Sequence, residues 1–247
     1  MYILSTFLIL GAVLVAECKD LKKSAEARII NGEEVDVKNY PYMVKLFQGR
    51  TFNCGGTLIT QRTVLTAGHC LYDSRTSLPL EDLEVHLEAT REVIQPSKLI
   101  PHELYKLQTY TTPYDIAVIH LESPSELNTF PALNQQQIYQ APGTAVLLLG
   151  YGRTESGYPS SNLRGTKSFI RSLTEQHQIV ISNGKSGTCF GDSGSPAIIF
   201  DGKMPIVVGV LSGGKQNVND VTCDAVNGQG MYTSVSSFHN WIMNNTV

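Results

Sequence analysis

After residue 28 this chain is a succession of short apolar runs broken by glycine, proline, asparagine and aspartate, and that pattern limits the folds open to it. Strands are expected at Tyr42–Phe47, Thr57–Thr60, Thr63–Thr66, Leu83–Leu87, Ile116–Leu121, Ala145–Leu149, Ser168–Ile170, Ile179–Ile181, Ala197–Phe200 and Ile206–Leu211. Many of these runs alternate or are rich in β-branched residues, and turn-forming residues separate them. One helix is expected, Ser236–Asn244, with Phe238, Trp241 and Ile242 on a common face. The chain shows no internal repeat, heptad or low-complexity tract. The physical reading is an all-β sandwich or pair of barrels. At 247 residues, 42% hydrophobic and 17% charged, the chain has an ordinary globular composition. A net charge of −3 gives no electrostatic case for nucleic acid or an anionic membrane as partner.

The N-terminus differs in kind. Residues 1–16, MYILSTFLILGAVLVA, carry no charged side chain and end in small residues. A bilayer-spanning helix needs ~20 apolar residues, so a secretory signal peptide fits this run better. Cleavage after Ala16 and cleavage after Cys18 both suit it. Residues 19–28, KDLKKSAEAR, are polar and too short to build a core. Five cysteines, Cys18, Cys54, Cys70, Cys189 and Cys223, make an odd count. Losing Cys18 with the signal leaves four, and secretion favours disulfides among them. Keeping it leaves a thiol or an intermolecular bond to explain.

CFGDSGSP, Cys189–Pro196, is made of turn residues, yet it presents a serine hydroxyl. A serine is a weak nucleophile until a base activates it, and the base needs an orienting group. Imidazole is the usual base near neutral pH. Of six histidines, His69 stands out at the end of Leu65-Thr66-Ala67-Gly68-His69-Cys70, where small neighbours leave room for the ring. A Cys54–Cys70 disulfide would pin that turn, closing a loop of about 15 residues for roughly 3 kcal/mol. Asp115 opens Asp115–Leu121, the most strand-like run in mid-chain. A carboxylate entering a buried strand is costly unless paired.

TAGHC, YDIAVIHL and CFGDSGSP, in this order and at these separations, resemble the trypsin/chymotrypsin family of serine endopeptidases. RIINGEEV at Arg28–Val35 resembles the family's activation junction, and PYMVKL, CGGTLIT and WIMNN its other landmarks. The resemblance covers Ile29 to the C-terminus. It implies two packed antiparallel Greek-key β-barrels with a C-terminal α-helix, residues 29–247 forming the peptidase domain after a 17–28 activation propeptide. It implies Ser193 as nucleophile, His69 as general base and acid, and Asp115 as the group orienting His69. The amides of Gly191 and Ser193 become the oxyanion hole. Cleavage of Arg28-Ile29 by a trypsin-like protease frees an ammonium on Ile29, which pairs with Asp192. Two disulfides are implied, Cys54–Cys70 and Cys189–Cys223.

The implied specificity pocket is Gly187, Thr188, Gly214 and Gly230. Trypsin-like members carry an aspartate at the position of Gly187, so the pocket here suits a large uncharged side chain, as in chymotrypsin-like members. Gly213 stands where a tryptophan is usual, and Lys215–Thr222 is longer than the usual connection, with Asp220 inside it. Ser195 and Gly68 replace a common glycine and a common alanine. The expected partners are protein or peptide substrates, an activating protease and protein inhibitors, for a secreted monomer. No cofactor is expected, and no cluster has zinc-like spacing. Asn244-Asn245-Thr246 fits a glycosylation sequon. A catalytically inactive homologue acting as a binding protein is the other functional class; such proteins usually lack a member of the triad, and here all three residues stand.

Overall fold

The computed structural model describes residues 32–72, 82–106, 113–154, 157–182, 188–215 and 229–247. Among the described residues fifteen strands form two curled sheets, and one α-helix closes the chain. After the short β1 (Glu33–Glu34) comes the first sheet. It contains β2 (Met43–Gln48), β3 (Thr51–Thr60), β4 (Thr63–Thr66), β5 (Leu83–Leu87), β6 (Glu92–Ile94), β7 (Pro96–Pro101) and β8 (Ala117–Leu121). Their order across the sheet is β6-β5-β2-β3-β4-β8-β7.

The second sheet is built from β9 (Ala132–Leu133), β10 (Ala145–Gly150), β11 (Arg164–Leu173), β12 (Gln178–Ser182), β13 (Pro196–Asp201), β14 (Met204–Lys215) and β15 (Gln229–Ser234). Its order is β1-β11-β10-β13-β14-β15-β12, and β12 pairs back onto β11 to close the barrel. Pairing is antiparallel throughout except for β9 beside β14. The expected two-barrel architecture with a C-terminal helix is what the chain adopts.

Side-chain alternation explains the curl. In β5, Leu83, Val85 and Leu87 are buried while Glu84 and His86 face outward, the period-2 pattern of a strand with one wet face. One apolar cluster fills the first barrel and runs on into Leu149, Tyr151, Leu163, Val210 and the helix residues Val235, Phe238 and Ile242. A second cluster fills the other barrel around Val146, Leu148, Ile179, Val208 and Tyr232. The barrels therefore share packed apolar surface rather than merely touching.

The helix α1 spans Val235–Asn244, one residue earlier than expected, because Ser234 caps it by accepting from the Ser237 amide at 3.2 Å. Phe238 and Ile242 are buried as expected, with Val235 as the third member of the face. Trp241 is only partly buried: its ring lies beside His102, and its indole N–H donates to Glu103. No helix among the described residues is long and apolar enough to cross a membrane.

Ile119 lies fully buried in β8, opposite Val64 and Leu99. Ile119→Ala should cost about 2–5 kcal/mol, from lost burial and the cavity left behind. Chemical denaturation measures it; a loss below about 1 kcal/mol would mean that this core is loosely packed.

Candidate active site

Strand register brings His69 and Asp115 together. In the antiparallel β4/β8 pair Thr66 faces Ala117, so the chain leaving β4 emerges beside the chain entering β8. Gly68–Leu71 then turns as a short 3-10 helix carrying His69, and Asp115 sits two residues before β8. The Cys54–Cys70 disulfide is formed and ties this turn to β3.

Asp115 is 3% exposed and fully engaged. Its Oδ1 accepts from the His69 backbone amide at 2.8 Å, and its Oδ2 accepts from His69 Nδ1 at 2.8 Å. Ser212 Oγ donates to Oδ2 at 2.6 Å, and Thr233 Oγ1 donates to the Asp115 carbonyl at 2.8 Å. A carboxylate only accepts, so the pairing leaves the proton of a neutral His69 on Nδ1 and a lone pair on Nε2. Burial works against protonating His69, but the charge and hydrogen bond of Asp115 outweigh it and hold its pKa above the ordinary imidazole value.

Ser212 and Thr233 escaped the sequence reading. Ser212 is the extra residue in a bulge where β14 shifts register between Leu211 and Gly213, and bulges re-aim side chains in this way. A polar residue ahead of two glycines in an apolar run was the available signal. Gly68 leaves space that Tyr105 fills: a Cβ there would lie 3.0 Å from Tyr105 Cγ and 3.2 Å from Asp115 Oδ1.

Ser193 comes from the turn ahead of β13. Gly191 has φ +92° and Gly194 φ +78°, conformations that glycine adopts without strain. A Cβ on Gly194 would come within 2.4 Å of the Gly55 carbonyl oxygen. The turn thus seats directly on the first barrel, fixed by the Gly55 amide donating to the Ser193 carbonyl at 2.7 Å. Ser195 lies just behind, its Oγ in the space that any side chain at Gly55 would need.

No hydrogen bond joins Ser193 Oγ to His69 among the described residues. Nor do the Gly191 and Ser193 amides donate to any acceptor among those residues. Donor atoms of Cys54, His69 and Cys70 cluster together, but both sulfurs belong to the disulfide and cannot act as thiolate ligands.

Asp192 is completely buried. The amides of Gly152 and Cys189 donate to its two oxygens at 2.7 and 2.9 Å, and no cation reaches it among the described residues. Burial pushes its pKa up to about 6, against the pull of those two amides. Thr188 hydrogen-bonds the Tyr232 hydroxyl, and Gly214 faces Gly230 across β14 and β15. A Cβ on Gly214 would lie 2.9 Å from the Gln229 carbonyl oxygen. Cys189 is disulfide-bonded; its expected partner Cys223 lies outside the described residues, as do Cys18, Arg28, Ile29, Gly187 and Asp220.

The Asp192 environment makes the stability of the fold depend on pH. Its folded pKa stands above the ordinary 3.8, so the folded state holds the proton more tightly than the unfolded one. Stability tied to this group is complete below pH ~4 and is lost as pH rises through about 6, roughly 3 kcal/mol in all. Denaturation of wild type and Asp192→Asn at pH 4 and pH 7 measures the difference. The variant should gain on wild type as pH rises, and an unchanged gap would mean that Asp192 is not held in a strongly desolvated site.

The family model described as Trypsin matches residues 29–242. The chain is 32% identical to the trypsin of Xenopus laevis, over 88% of this chain and 90% of that one. It is 29% identical to the trypsin of Phaedon cochleariae over 96% of both chains, and 30% identical to human serine protease 1 over 88% and 89%. The chain belongs to the trypsin/chymotrypsin family of serine proteases.

Proposed function

We propose that this chain is the precursor of a secreted serine endopeptidase, switched on by cleavage at Arg28-Ile29 and selective for large uncharged side chains. The observation that carries the reading is the buried Asp115 carboxylate bonded to both the backbone and the ring of His69. In the proposed reaction Ser193 Oγ attacks the scissile carbonyl carbon as its proton passes to His69 Nε2. Asp115 stays ionised and stabilises the imidazolium. The oxyanion of the tetrahedral intermediate takes the Gly191 and Ser193 amides, each such donor being worth about 3–4 kcal/mol. His69 then gives its proton to the leaving amine, and water hydrolyses the acyl-enzyme by the same path.

Activation follows from the charge balance of Asp192. An ammonium freed on Ile29 would supply the cation that this buried carboxylate lacks among its described neighbours. A hydrogen-bonded ion pair there would hold the adjacent Gly191–Ser193 backbone in register. The apolar run at 1–16 supports secretion of the precursor. Specificity rests on Gly187, together with Thr188, Gly214 and Gly230. With no carboxylate at Gly187, a cationic side chain loses water without gaining a counter-charge. An apolar one gains ~25 cal/mol for each Å² buried.

One experiment tests the reading: trypsin-treated chain, purified free of trypsin, assayed on matched Phe, Leu, Ala and Arg peptides. Phe and Leu should lead and Arg should be negligible. Ser193→Ala should lower turnover by roughly a millionfold, and Arg28→Gln should stay silent after the same treatment. An Arg peptide leading the series would overturn the neutral pocket, and turnover that survives Ser193→Ala would overturn the nucleophile.

A further inference from the structure

Tyr114, the residue immediately before Asp115, has φ +71°, a left-handed conformation that is unfavourable for a bulky side chain. Such a conformation persists only where the surroundings hold it. Here they do so through the ring. Tyr114 stacks on His102 with centroids 5.0 Å apart and planes 29° from parallel, and it meets the edge of Phe238 in α1 at 5.7 Å. His102 is itself packed against Phe238 and Trp241. The backbone on either side is tied as well: the Ile116 amide donates to the Tyr114 carbonyl at 2.8 Å, and the His102 amide to the Ile116 carbonyl at 3.0 Å. The left-handed turn thus falls immediately before the residue whose carboxylate meets His69 and Ser212, and β8 begins two residues after that carboxylate.

We propose that Tyr114 is a positioning residue: its ring, clamped between His102 and Phe238, holds the left-handed turn that aims the Asp115 carboxylate at His69. The proposal rests on the reading of His69 and Asp115 as a catalytic pair, but its primary readout does not need turnover. The clamp couples the C-terminal helix, through three aromatic contacts, to the charge that sets the protonation of His69.

The test is a ¹⁵N NMR titration of the His69 imidazole in wild type and in Tyr114→Ala, Tyr114→Gly, Tyr114→Phe and His102→Ala, with kcat and KM measured alongside. Burial of His69 opposes its protonation while Asp115 favours it, so loosening Asp115 must move the midpoint down. Tyr114→Ala should lower the midpoint and reduce kcat roughly ten- to a hundredfold with little change in KM. Tyr114→Gly, which takes the turn without strain, should behave the same because the clamp is gone. Tyr114→Phe keeps the stack and should keep wild-type values.

Should Tyr114→Ala not fold, His102→Ala opens the clamp from its other face and carries the same expectation. Other titratable groups nearby are Tyr105, whose pKa burial and the Asp115 charge push above the phenol range, and His102, whose pKa burial holds low despite Glu103. Residue-specific labelling separates them from His69. A His69 midpoint unmoved in the Ala variants, with only thermal stability lost, would make the ring ordinary packing and overturn the proposal. So would wild-type behaviour in Tyr114→Gly. A wild type without peptidase activity would refute the functional reading while leaving the midpoint comparison intact.

Discussion

A buried aspartate that accepts four hydrogen bonds organises this molecule. Asp115 leaves the first barrel and is met by Ser212 and Thr233 from the second, so one charge serves as both a seam between barrels and an anchor for His69. Desolvating a carboxylate costs several kcal/mol, and only full satisfaction of its oxygens offsets that. Removing any one partner leaves a deficit in a dry place. For this reason the barrel-to-barrel arrangement and the orientation of the imidazole are not separable properties.

The second constraint is of opposite character. Asp115 is satisfied, whereas Asp192 is buried with two amides and no cation among the described residues. A fold that carries such a group stores an electrostatic deficit beside Gly191 and Ser193. Under the proposed activation the new ammonium removes that deficit, and the same turn that holds Asp192 then presents two free amides to a substrate.

Much of this was legible in the sequence, but unevenly. β4 and β5 were readable to the residue because clean turns bound their apolar runs. β7 was missed because prolines at both ends disguise a strand at the edge of its sheet, where they are tolerated. β15 was missed because Gln229-Gly230 interrupts its pattern, and β11 is far longer than its apolar part because polar residues alternate along it. His69, Asp115 and the Gly191–Gly194 turn were visible because their local motifs are specific. Ser212, Thr233 and the clamp on Tyr114 were not, since each depends on a bulge, a register or a backbone angle that only long-range pairing creates.

In the proposed mechanism Asp115 sets the basicity of His69, and His69 activates Ser193. The most direct measurement is the rate at which a serine-directed phosphonate modifies the trypsin-treated chain across pH, with mass spectrometry locating the label. The label should fall on Ser193, and the rate should rise with a single ionisation whose midpoint lies above the ordinary imidazole value. Asp115→Asn should move that midpoint below it, because burial then acts alone. A label elsewhere would rule out Ser193 as the nucleophile, and a midpoint indifferent to Asp115→Asn would rule out Asp115 as the group that sets the basicity of His69.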